Sequence, residues 1–334
     1  MTILKTDTVS GIGTEGTVFE GDITFDSLNY MTLPKGTTTQ SNRGRGVIGS
    51  GYVAPARVNT IDYITIQSEG NATDFGDLTV SRSDCANISS STRGIWAGGI
   101  VGYSDVIDYV TIATTSNATD FGDITTATQD PAGVSNQTRG IIAGGKTPAS
   151  NPAGVNTIEY ITIASLGDAT NFGDLTEVQG GQASTGSPTR GIIAGGATGS
   201  DSNVIQYITI ATTGDATNFG DLTVPRGQGA GGGNTTRGLF YAGYDAPSLV
   251  NTIDFITIAT TGDATDFGDA TSTRGEISGS CSDPVRGVFC GGNPNTNAID
   301  KVTIATTGNA KDFGDLFVAR RGTSSISDCH GGIS

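Results

Sequence analysis

The chain has 334 residues, 35% hydrophobic and 15% charged, and its 18 basic and 33 acidic residues give a net charge of −15. Phosphate contacts need clustered Lys and Arg, which this chain lacks, so nucleic acid is not an expected partner. No stretch reaches the ~20 consecutive apolar residues of a membrane span, and Met1 to Asp7 lacks the basic and apolar regions of a signal peptide. The expected site of synthesis is a cytoplasm, with exit only inside an assembled particle.

Fifty-one glycines in a weakly apolar chain suggest disorder. Evenly spaced β-branched runs argue instead for a core supplied in small packets. Residues 1–14 are polar, precede any repeat, and read as an N-terminal arm, either frayed or docking on another subunit. The expected propeller region is 15–334. Its first piece, Leu28 to Gly36, resembles a strand that recurs later as Phe-Gly-Asp-Leu-Thr-Val-Pro-Arg-Gly.

From Arg45 a unit repeats six times. Each copy opens on Arg-Gly and two apolar residues, at Arg45, Arg93, Arg139, Arg190, Arg237 and Arg286, with spacings of 48, 46, 51, 47 and 49 residues. That period fits propeller blades of ~40–50 residues. The second part is Ile-acid-Tyr-Ile-Thr-Ile, as in Ile61 to Ile66. Its alternation puts Ile61, Tyr63 and Thr65 on one face and Asp62, Ile64 and Ile66 on the other, so both faces of the sheet must be covered. Turn residues such as Thr212 to Asp215 then lead into the third part, Asp/Asn-Phe-Gly-Asp-Leu-Thr, which carries Phe75, Phe121, Phe172, Phe219, Phe267 and Phe313. A Gly/Ser/Thr-rich stretch returns to the next Arg-Gly. No window has helical periodicity. Two copies depart from the usual Ala-Gly-Gly, with Gly49-Ser50-Gly51 and Tyr241-Ala242-Gly243, and looser packing or altered turns are expected there.

The chain after Arg321 resembles the Gly/Ser-rich stretch that precedes an Arg-Gly. An open ring would expose edges, so 15–36 and 318–334 are expected to pair as a composite seventh blade. Six blades, with the C-terminal strand joining the first unit, is the alternative.

Little in the chain points to chemistry. His330 is the single histidine and lies beside Cys329; adjacent strand residues face opposite ways, which argues against a Cys-His dyad. Cys85, Cys281, Cys290 and Cys329 form no zinc pattern and are expected as buried thiols, with Cys281 and Cys290 the one pair close enough for a disulfide. Asp263, Asp266 and Asp269 are candidate Ca²⁺ or Mg²⁺ ligands. The repeated aspartates of Phe-Gly-Asp, Asp77 to Asp315, read as turn caps accepting backbone N–H groups. The acids Asp62, Asp108, Glu159, Asp254 and Asp300 are expected to pair with the Arg-Gly arginines, and Gln206 breaks their series. Trp96 reads as core. No cofactor is expected.

The order of parts in Gly191 to Gly196, Tyr207, and Phe219 to Arg226 resembles the kelch repeat, with Phe in place of the kelch Trp. The resemblance covers roughly 30–334 and implies an all-β propeller of four-stranded blades. Copper-containing kelch propellers need several His and Tyr ligands, which one histidine cannot supply. The wording Thr-Ile-Ala-Thr-Thr-Gly-Asn/Asp-Ala with Asp-Phe-Gly-Asp-Leu is similar to repeats in virion proteins of marine bacteriophages, including cyanophages. That resemblance implies a non-enzymatic structural or decoration component of a tail, fibre or capsid surface, located in the virion and contacting other virion proteins through its N-terminal segment. Two alternatives stand beside it: an adhesin binding a host receptor or glycan, and a glycan-cleaving enzyme, which would need a carboxylate pair in one cleft.

Overall fold

The computed structural model describes residues 44–150 and 153–333. The arm at 1–14 and the stretch 15–36 lie outside the described residues. Those described form a β-propeller of six blades, with no helix.

Each repeat contributes the same strands for the same reasons. In the second blade, Ala86–Ser89 is innermost, Arg93–Ala97 carries the Arg-Gly motif, Ser104–Thr111 carries Ile-acid-Tyr, and Thr119–Thr128 carries Phe-Gly-Asp on the outer edge. The four run antiparallel. Blades three to five repeat the pattern.

Both faces of each blade are apolar, and the core lies between blades. Ile61, Phe75 and Leu78 of blade one pack on Trp96, Val110 and Ile112 of blade two, while Ile64 and Ile66 face Val288 and Ile299 of blade six. The alternation read from the sequence therefore assigns each face its neighbour. A register shift recurs where the third strand meets the outer one, between Ile61 and Asp62 in the first blade and at the equivalent pair in the others. Two residues of the third strand oppose three of the outer strand, and the extra one is the phenylalanine. Such bulges re-aim a side chain, and here each phenylalanine is buried, edge-on to the third-strand Tyr63, Tyr109, Tyr160, Tyr207 or Phe255 in the first five blades.

The seventh blade is corrected. Thr323–Ser327 is the inner strand of the first blade, paired antiparallel with Arg45–Gly49 from Gly46↔Ser327 to Gly49↔Ser324. Inner strands precede their Arg-Gly strand in sequence, and the first Arg-Gly strand takes its inner neighbour from the far end of the chain. The sixth blade splits its inner strand. Cys281–Ser282 pairs with Arg286–Cys290, while Ile277–Gly279 runs parallel to Thr323–Ser325. The sixth and first blades are thus hydrogen-bonded directly, which leaves no gap for another blade.

The two irregular copies are not loose. Gly49 makes room for Trp96, since a Cβ there would lie 2.7 Å from the indole. The indole is buried, and its N–H donates to the Ser324 carbonyl at 2.9 Å. Tyr241 stacks on Phe289 with ring centres 4.1 Å apart. Ser50 and Ala242 keep the left-handed backbone of the replaced glycines, with φ of 65° and 53°. After each irregular copy the chain turns back on itself in a hairpin: Tyr52–Val53 pairs with Ala56–Arg57, and Tyr244 and Asp245 pair with Leu249 and Ser248.

Candidate functional site

The repeated polar residues fall into two rings and a set of buried pairs, and each joins one blade to the next. The first ring is made by the Arg-Gly arginines. Arg45, Arg93, Arg139, Arg190 and Arg237 each lie over the third-strand aromatic of their own blade, 4.3 to 4.8 Å from the ring centre. Each then donates from Nη1 to a main-chain carbonyl of the following blade: Ile112, Ile163, Ile210, Ile258 and Ile304, at 2.7 to 2.9 Å. Arg286 completes the ring on Ile66 at 2.7 Å. Its own blade has Lys301 at the aromatic position. These arginines do not meet the Ile-acid-Tyr acids, contrary to the expectation.

The second ring is the rim. The Asp77 N–H donates to Asn117 Oδ1 in the turn of the next blade at 3.1 Å, and the Asp77 carbonyl accepts from the Ala118 N–H at 2.7 Å. Asp123, Asp174, Asp221, Asp269 and Asp315 repeat this with Asp168, Asp215, Asp263, Asn309 and Asn71. The capping expectation is thereby reversed: the Phe-Gly-Asp backbone donates, and a turn side chain on the neighbouring blade accepts. Every outer strand is bonded to the next blade in this way at its Phe-Gly-Asp segment, which lessens the exposed-edge liability of an open sheet. Phe-Gly-Asp needs glycine because the contact is tight; at Gly173 (φ 157°) a Cβ would lie 2.4 Å from the Gly214 carbonyl oxygen.

The acids pair with a different set of arginines, seven residues after the phenylalanine. Arg82 meets Asp108 at 2.8 Å, Arg226 meets Asp254 at 2.9 Å, Arg320 meets Asp62 at 3.1 Å, and Arg274 pairs with Asp300. All eight side chains are at most 3% exposed. Each arginine lies at or beyond the end of one blade's outer strand and reaches the third strand of the next. Arg82 also donates to the carbonyls of Val106 at 2.6 Å and Trp96 at 3.1 Å. Burial pushes the Asp108 and Asp62 carboxyls up, opposed by Arg82 and Arg320. Tyr241 hydrogen-bonds Asp300 and accepts from Arg274 Nη2 at 2.6 Å, and burial raises its phenol well above the usual tyrosine value. Sequence reasoning missed these arginines, although the kelch-like strand running from Phe219 to Arg226 already displayed the spacing.

The axis is lined by small residues of the inner strands, including Ser89, Ser135, Thr185, Gly232 and Ser325, and leaves an opening of about 40 Å³, room for about one water. His330 borders it. Its Nδ1 accepts from the Gly332 N–H at 3.0 Å, and its Nε2 lies 3.4 Å from both the Ser89 carbonyl and Ser135 Oγ. Burial lowers its pKa to about 4. A neutral imidazole with the proton on Nε2 fits these partners.

Asp263, Asp266 and Asp269 are not brought together as a metal centre. Asp263 accepts from the Asp221 N–H, and among the described residues no group of three His, Cys, Asp or Glu side chains is placed to hold an ion. Cys281 and Cys290 lie on neighbouring strands as separate buried thiols, with Cys281 opposite Val288. Burial pushes the Cys85 thiol up to about 11. No helix among the described residues is long and apolar enough to cross a membrane. Set against known proteins, the chain matches no family model, and no curated protein matches its sequence.

Proposed function

We propose that this chain is a non-catalytic, rigid scaffold for protein–protein contacts, serving as a structural or decoration component of a bacteriophage virion. One observation carries the scaffold part. The repeated charged and polar residues are spent on blade-to-blade contacts, in two rings that each close from blade six to blade one. An active site would need several polar groups converging on one cleft; the opening at the axis is only about 40 Å³, and the cavity that departs from the repeat pattern presents a single carboxylate, Glu159. The virion part rests on the kelch-like order of parts and on the wording of Thr303 to Ala310 and Asp312 to Leu316, which resembles marine phage virion repeats.

Antibody raised against the isolated propeller tests this reading on purified particles of the phage that encodes the chain. Labelling of tails, fibres or capsids is the expected result. Propeller found only in the soluble fraction of infected cells, and never on particles, overturns it.

A further inference from the structure

Five of the six blade junctions balance the charge at the buried arginine position. Four hold an Arg with an Asp, and the fifth holds Gln179 beside the blade that carries Gln206, so both charges are gone together. The junction between blades two and three is different. The arginine position is Thr128, 6% exposed, while the acid is retained as Glu159, 7% exposed. Thr125 donates to both Glu159 oxygens, from its N–H at 3.3 Å and from its hydroxyl. The matching threonine does the same at Asp254, where Arg226 supplies the cation. Among the described residues Glu159 has no cationic partner, and Lys146 on the same blade turns to Asp130 at 3.4 Å.

A cavity of about 210 Å³ stands where the arginine is missing. Its walls are the residues equivalent to those that hold Arg82. Arg82 is held by Asp108 and by the carbonyls of Trp96 and Val106, and Glu159, Ile142 and Thr157 occupy those positions here. Thr125 and Thr157 at its mouth are exposed, so it opens to solvent. A planar group with N–H donors fixed in a fork matches one buried carboxylate flanked by carbonyls, whereas a compact ammonium satisfies fewer of them.

We propose that this vacated slot is a binding site for a guanidinium group, with Glu159 as its carboxylate partner. The group comes either from a free alkylguanidine or from an arginine side chain on another protein; both present the same fork.

The full chain is titrated calorimetrically with methylguanidinium, with methylammonium, and with a capped Gly-Ser peptide holding one central arginine. Saturable binding of methylguanidinium is expected, lost in Thr128→Arg and at least tenfold weaker in Glu159→Gln. Thr128→Arg is also expected to raise the melting temperature, because it supplies the cation that the buried carboxylate lacks. Peptide binding that Thr128→Arg abolishes points to a partner's arginine, and binding of methylguanidinium alone points to a free ligand. Absence of saturable binding up to ~10 mM overturns the assignment, as does equal affinity for methylammonium. A lowered melting temperature in Thr128→Arg, or binding that survives it, also overturns the proposal and stands even if Glu159→Gln fails to fold.

Discussion

Arg286 donates to the carbonyl of Ile66 at 2.7 Å, so the last Arg-Gly arginine of the chain is bonded to its first blade. The same bond recurs at every junction, but the arginines do not sit alike. Arg139 also lies 4.4 Å over the Tyr160 ring, whereas Arg286 has Lys301 beside it. Losing a hydrogen bond from a charged group costs ~1.5–3 kcal/mol, and a cation–π contact adds ~0.5–1 kcal/mol. Both Arg286→Met and Arg139→Met should lower the urea midpoint, and Arg139→Met should lower it further. Equal midpoints would assign no value to the aromatic contact.

The ring is closed by the C-terminal strand. Thr323–Ser327 supplies the whole inner strand of the first blade and a parallel pairing to the sixth. It also accepts the Trp96 indole N–H. Deleting 322–334 should expose two blade edges and lower the melting temperature of the entire propeller, not merely fray one end. Circular dichroism and a hydrophobic dye should report this together. An unchanged melting temperature would reject closure by this strand.

Two glycines facing each other across the rim separate backbone strain from steric overlap. Gly214 has φ 157° and open space where an added methyl group would lie, so Gly214→Ala should cost ~1–3 kcal/mol from backbone conformation alone. Gly173 has the same φ, but its Cβ would meet the Gly214 carbonyl oxygen at 2.4 Å. Gly173→Ala should add an overlap cost of ~1–3 kcal/mol. Denaturation curves that rank the two the other way would mean that neighbouring blades can separate at the rim without penalty.

Two buried groups near the axis should oppose each other as pH falls. The pKa of His330 is lowered from 6.5 to about 4 by burial. Its contribution is present above pH 6.5 and lost as pH falls towards 4, because the unfolded chain takes the proton first. Asp84 is raised from 3.8 to about 7 by burial and by the Asp130 charge. Its contribution is present below pH 3.8 and lost as pH rises through about 7. Acidifying His330→Gln from pH 7 to 4 should therefore destabilise it less than the parent, and acidifying Asp84→Asn should destabilise it more. Melting curves across this range check both signs.

The sequence displays the blades more clearly than their seams. Six Arg-Gly units, alternating third strands and a phenylalanine in each outer strand suffice for an all-β propeller, because core packing imposes those periods. The closing strand Thr323–Ser327 is built of Thr, Ser and one Ile, since a narrow axis admits only small residues; such a segment carries little pattern. Pairing the acids with the Arg-Gly arginines fails on register. Arg45 stands opposite Thr65, and Asp62 stands opposite Ile48, three residues along the strand. The true partners lie across the blade junction, where sequence order offers only the recurrent spacing from Phe to Arg. The unbalanced Thr128 and Glu159 become visible as a pair only once those partners are known.

The chain contains a natural precedent for a charge-free junction, and it predicts the outcome of a double-mutant cycle. Arg82 and Asp108 are 0% exposed and 2.8 Å apart. Removing either alone strands a buried charge, so Arg82→Gln and Asp108→Gln should each cost ~3–5 kcal/mol. Removing both reproduces the residue types of Gln179 and Gln206, where Thr176 donates to Gln206 Oε1 from its N–H at 2.8 Å and its hydroxyl at 2.9 Å. Thr79 stands ready to do the same at position 108, since its hydroxyl already bonds Asp108. The double variant should therefore be more stable than either single one, with a coupling of ~2 kcal/mol or more between the two sites. Additive losses would mean that each arginine is held chiefly by the main-chain carbonyls of its blade, and that the carboxylate contributes little to the junction.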